Sequence, residues 1–142
     1  MKLVTNSCIL LCAAVLIILF SLGSCTKSEN VERDFPIVRS ISIDVIKDVG
    51  AHFWGEIEPR AGEEISEYGF LWSTSTIPYL ANSVKVAMHI PFKGGKFDTL
   101  VNENLYVGAL YFARAYAKTG TTVTYGDIYN FKSQGSLRSF LQ

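Results

Sequence analysis

Few residues in this chain have the types and spacing that chemistry requires. There are two histidines, His52 and His89. Neither stands in a ligand spacing such as HxxE or HxH, and a zinc site needs at least a third protein ligand. Glu63, Glu64 and Glu67 supply carboxylates, and a glycosidase needs two of these about 5–10 Å apart across a cleft. Here they fall in one turn and the segment after it, which is the pattern of a solvated acidic turn. Asp98, Glu103 and Asp127 lack the spacing of a calcium loop. There is no GxSxG, no phosphate-binding loop and no paired-cysteine motif. Gly94-Gly95 belongs to a hairpin turn. The expectation is a protein that is not an enzyme, with no catalytic residue, no metal and no cofactor.

The remaining reactive groups are the cysteines, Cys8, Cys12 and Cys25. Cys8 to Phe20 is an unbroken apolar run preceded by one basic residue, Lys2. It is short for a bilayer span and long enough for a signal-peptide core. The run leads into Leu22-Gly23-Ser24-Cys25. This resembles the bacterial lipoprotein signal, the lipobox, in which the cysteine thiol takes a diacylglyceryl group and cleavage follows just before it. The resemblance implies a signal helix within residues 1–24, lipidation at Cys25, and attachment to the bacterial outer membrane, facing the periplasm or the surface. One acyl chain holds a protein marginally, at about 0.8 kcal/mol per buried methylene, and several hold it firmly. Cys8 and Cys12 fall in the segment removed, so with Cys25 acylated the mature chain has no thiol, hence no disulfide and no cysteine-bound metal.

Bulk composition narrows the remaining possibilities. The chain has 142 residues, enough for one domain with a core. Basic and acidic residues balance at 13 each, with no basic patch or charge block, so nucleic acid is not an expected partner. Nine Phe, seven Tyr and two Trp favour strands over helices.

Strands are what the local pattern predicts. Residues 25–35 are mostly polar and aperiodic, a linker. From Pro36 the chain alternates. Ile37, Ile41, Ile43 and Val45 share one parity, with Ser40, Ser42 and Asp44 on the other. Ala51, Phe53, Gly55 and Ile57 oppose His52, Trp54, Glu56 and Glu58. A third strand runs through "EYGFLWS" with a kink or bulge expected at Gly69. "STIPYLANS" is a loop, and Val84, Val86, Met88 and Ile90 share a face of the fourth strand. "KFDTLV" is the fifth. In the sixth, Tyr111, Ala113, Ala115 and Ala117 oppose Phe112, Arg114, Tyr116 and Lys118. "VTYGDIYNF" is the last. The fold class predicted is all-β, a seven-stranded antiparallel two-sheet sandwich over residues 36–133, followed by a tail, 134–142.

Four segments, "AHFWGEIE", "EYGFLWS", "LYFARAYA" and "YGDIYNF", together resemble a fibronectin type III-like domain, an immunoglobulin-like sandwich found in bacterial envelope lipoproteins. Ala51, Phe53 and Gly55 carry the first match; Glu67, Gly69 and Phe70 the second; Arg114, Ala115 and Tyr116 the third; Tyr125, Gly126 and Phe131 the last. Leu105 and Tyr111, six residues apart, match a tyrosine corner, in which a tyrosine hydroxyl bonds back to the preceding crossover. Val107 and Ala109 replace the proline and threonine usual there. The resemblance implies structural roles for Leu105, Tyr111, Gly69 and Phe70.

Alternation also selects a candidate surface. If Tyr111 points inward, Phe112, Arg114 and Tyr116 point outward, and Leu71 joins them from the next strand. Trp54 stands beside His52 on the other sheet. Aromatics bracketing an arginine have the composition of an interface, and flat rings also stack on sugars. The expected function is a lipid-anchored module that binds protein or glycan, or acts as a spacer. The alternatives are a structural subunit of a surface assembly, joined by strand addition, and an accessory domain of a polysaccharide-degrading enzyme.

Overall fold

A computed structural model describes residues 35–137 except Ala61, Ile90 and Thr121. The signal segment, Cys25, the linker up to residue 34 and tail residues 138–142 lie outside the described residues. A compact unit spans Arg33–Gln142.

The unit is all-β. Its strands are β1 (Ile37–Ile46), β2 (Gly50–Glu58), β3 (Glu67–Ser73), β4 (Val84–Met88), β5 (Gly95–Val101), β6 (Leu110–Thr119), β7 (Thr122–Tyr125) and β8 (Tyr129–Lys132). They form two antiparallel sheets, one ordered β1-β2-β5 and the other β4-β3-β6-β7 with β8 also on β6. Eight strands replace the predicted seven because the last one is interrupted. Tyr116 faces Tyr125, whereas Ala113 faces Tyr129. Three residues, Gly126 to Ile128, therefore stand against two, Arg114 and Ala115, which is a bulge.

The interruption exposes a backbone group that must find a partner. Gly126 N–H still donates to the Ala115 carbonyl at 2.9 Å. The Ala115 N–H instead donates to the Ser40 hydroxyl of the facing sheet at 2.9 Å, and that hydroxyl donates to the Asp127 carbonyl at 2.5 Å. The contact requires glycine at position 126, where a Cβ would lie 2.7 Å from the Ser40 nitrogen. A buried serine thus joins the two sheets where the strand breaks.

Ser40 also corrects the parity expected of β1. A register shift between Ser40 and Ser42 turns the strand over. Before it, Val38 and Ser40 are buried; after it, Ile43 and Val45 pack on the core, and Ile41 is exposed. One extra residue reverses which positions face inward. On β2 and β6 the alternation holds: Ala51, Phe53 and Ile57, and Tyr111, Ala113, Ala115 and Ala117, all lie in the core.

Between the sheets runs a column of rings. Tyr111 stacks on Phe131, with centroids 5.7 Å apart, and Phe131 meets Phe53 edge-on at 5.7 Å. Phe53 also meets Phe70 and Trp72 edge-on, at 5.5 and 5.9 Å. Phe97 continues the column to Tyr68, which stacks on Phe92. The buried alanines of β6 leave room for these rings.

Leu105 is fully buried, and the Tyr111 hydroxyl accepts the Tyr106 N–H at 3.1 Å. The corner bond runs to a backbone amide of the crossover. Tyr111→Phe is expected to destabilise the protein by about 1 kcal/mol, and an unchanged denaturation midpoint would show that the bond contributes nothing.

Beyond β8 the chain stays attached. Ser133 exchanges backbone bonds with Gly108 and Ala109 on the crossover, and Leu137 N–H donates to the Val49 carbonyl in the β1–β2 turn. Residues 134–137 of the tail are therefore docked on the sandwich.

Candidate functional site

The outward face of the larger sheet brings together the residues that alternation selected. Across β3 and β6, Gly69 faces Tyr116, Leu71 faces Arg114, and Ser73 faces Phe112. Phe112, Arg114 and Tyr116 do lie on the face opposite the core, but the expected exposure is corrected. Tyr116 and Leu71 are 0% exposed, and Phe112 and Arg114 are half-buried. The cover comes partly from Tyr125 on β7, whose ring lies 3.9 Å from the Arg114 guanidinium. The Tyr125 hydroxyl also accepts the Leu80 N–H of the β3–β4 loop at 3.4 Å. That loop is held by Asn82, whose side chain accepts the Tyr79 N–H and donates to the Ile77 carbonyl.

Tyr116 is anchored as well as buried. Its hydroxyl donates to Glu67 Oε1 at 2.6 Å, and Lys85 Nζ reaches the same oxygen at 2.9 Å. The two donors, Tyr116 first, hold the Glu67 carboxyl below its ordinary range. Burial, and then the carboxylate, push the Tyr116 phenol well above its own. Glu67 thereby ties β3 to β6 through Tyr116 and to β4 through Lys85.

The pair carries a pH signature of known sign. A carboxyl whose folded pKa is depressed adds stability that is complete above its ordinary value and disappears as pH falls through the folded value. A phenol whose folded pKa is raised adds stability that is complete below its ordinary value and disappears as pH rises toward the folded one. Tyr116→Phe is expected to cost about 1–3 kcal/mol near neutral pH. Denaturant midpoints across pH should show the gap to wild type narrowing in acid and again in strong alkali. A gap that does not vary with pH would show that the bond is not charge-assisted.

Arg114 differs from its neighbours. Its Nε is buried without a hydrogen-bond partner, and no described carboxylate forms an ion pair with it. Desolvation lowers its pKa. Among the described residues its guanidinium meets the Tyr125 ring, an attraction between cation and π-face.

Trp54 lies on the other sheet and is half-buried. Its indole N–H donates to Asp44 Oδ2 at 3.0 Å, and its ring lies 4.4 Å from that of His52. His52 Nε2 sits 2.7 Å from Asp98 Oδ2. Sequence spacing showed no carboxylate near His52. The β2–β5 register, which sets Trp54 opposite Asp98, brings one there, and the β1–β2 register sets Asp44 opposite His52. The signal was the shared outward parity of positions 52 and 98, which is uninformative until the strands are known to pair. Among the described residues no group of three His, Cys, Asp or Glu side chains is placed to hold a metal ion.

Gly69 and Phe70 take their places without the expected bulge, since pairing runs unbroken through both neighbours of β3. Neither a protein-family model nor a curated protein matches this chain.

Proposed function

We propose that this is a lipid-anchored module of the bacterial outer membrane that displays a fibronectin type III-like sandwich to a partner and is not itself an enzyme. The observation that carries it is Leu22-Gly23-Ser24-Cys25, following an apolar run and preceding a compact unit that begins at Arg33. Lipid at Cys25 fixes one end, the polar residues after it set the reach, and the sandwich presents its faces. Several features support the domain assignment. The first, second and fifth strands share one sheet, while the third, fourth, sixth and interrupted last strands share the other. The Tyr111 hydroxyl bonds back to the crossover. The outward face with Arg114 supports binding, because aromatic and arginine side chains are enriched at interfaces.

The experiment is metabolic labelling with a palmitate analogue. Wild-type protein is expected to take up label and migrate as a processed form. Cys25→Ser is expected to take up none and to accumulate as precursor. Equal labelling of both would remove the lipid anchor.

A further inference from the structure

We propose that Arg114 anchors a protein-docking surface whose occupant is a peptide segment of a partner protein, carrying an aspartate or glutamate beside apolar side chains. The inference rests on the protein being a binding module and names the chemistry of its ligand. A guanidinium has five N–H donors. In Arg114 one of these, on Nε, is buried and unpaired. The terminal nitrogens are not among the buried orphaned atoms, and no described carboxylate pairs with them. A cation that has lost part of its hydration, with no counter-ion, is a net cost to the folded chain. A carboxylate supplied from outside would offset that cost, and the planar fork of the guanidinium matches one in two-point contact. The Tyr125 ring holds the fork in place beforehand, so less side-chain freedom is lost on binding.

The surroundings favour a peptide over a sugar. Sugar stacking needs an open aromatic face, but the Tyr125 ring is covered by the guanidinium and Tyr116 is fully buried. Aliphatic side chains are exposed nearby. Leu110 shares the outward parity of Arg114 on β6 and is 51% exposed. Ile128, in the bulge that stands against Arg114 and Ala115, is 40% exposed. Phe112 lies between Leu110 and Arg114 in the same row. A central charge-bearing contact with apolar neighbours is how binding energy concentrates in protein interfaces.

The test is selection from a phage-displayed library of random peptides on the full chain in detergent micelles. A consensus with one acidic residue flanked by apolar ones is expected. The synthetic consensus peptide should bind wild type and lose at least about tenfold in affinity with Arg114→Gln. Arg114→Lys should lose nearly as much, because an ammonium lacks the fork. Replacing the peptide's acid with its amide should weaken binding to wild type but not further weaken binding to Arg114→Gln. Leu110→Glu places a repelling charge at an exposed position and should also weaken binding, so the proposal stays testable even if Arg114 variants fold poorly. A consensus without an acid, or one indifferent to both Arg114→Gln and Leu110→Glu, would overturn the proposal and leave the binding module standing. No enrichment of any peptide would overturn both. Binding of polygalacturonate that Arg114→Gln abolishes, without an acidic peptide consensus, would overturn the peptide in favour of an acidic glycan.

Discussion

Phe53→Ala is expected to destabilise the protein by about 3–5 kcal/mol, the usual cost of truncating a fully buried aromatic ring. Phe53 is 1% exposed and touches Phe70, Trp72 and Phe131 within 6 Å, so its ring joins β2 of one sheet to β3 and β8 of the other. Truncation would leave a cavity between the layers, and the edge-on contacts around it would be lost together. The neighbours cannot readily close the gap. Ala51 and Gly55 flank Phe53 on the same inward row of β2 and carry little side chain to move. Since a domain of this size has about 5–15 kcal/mol of stability in total, a large fraction would disappear. Denaturant titration of the full chain is the measurement, with the midpoint falling steeply and the slope unchanged. Phe53→Leu should cost distinctly less because it fills part of the space. A loss below about 1 kcal/mol for the alanine variant would mean that the ring column does not hold the sheets together.

Gly69→Ala is expected to cost more than about 3 kcal/mol, although it adds only one methyl group. A Cβ built at position 69 would lie 2.0 Å from the carbonyl oxygen of Val86, a backbone atom of the paired strand β4. No side chain can rotate away to relieve this. The backbone φ of +155° is also one that residues with a Cβ rarely adopt. Either β4 separates from β3 or β3 rotates and disturbs its pairing with β6 on the other side. Hydrogen exchange gives a local readout. Amides of Val84–Met88 should exchange faster in the variant even under conditions where β1 and β2 remain protected. Uniform protection in both forms, with an unchanged midpoint, would show that the strands can absorb the methyl group.

Much of the sandwich was legible because its signals are local. Strict alternation along β2 and β6 placed Phe53 and Ile57, and Tyr111 with the three alanines, inside, and all of them are in the core. Period two is a property of the extended chain and needs no partner strand to be seen. The turn at Gly94-Gly95 is local in the same sense, since both residues adopt the positive φ that favours glycine. Leu105 and Tyr111 could be paired in advance because the corner spans only a few residues.

Tertiary structure decided everything that depends on which strand lies beside which, and in what register. The bulge after Ser40 is invisible in a sequence that keeps alternating, yet it turned Ile41 outward and buried a serine. The break between β7 and β8 made sense of that serine, whose hydroxyl takes the Ala115 N–H from 75 residues away. His52 met Asp98 across 46 residues for the same reason. Parity put Tyr116 on the outward face, but it could not show that Glu67 would hold its hydroxyl and that the ring would be buried there. Nor could it show that Arg114 would lie over the Tyr125 ring with its Nε buried and unpaired. A residue's own type and spacing determine whether it can face inward or outward, whereas its hydration and its partners are set by atoms far along the chain that only folding brings near.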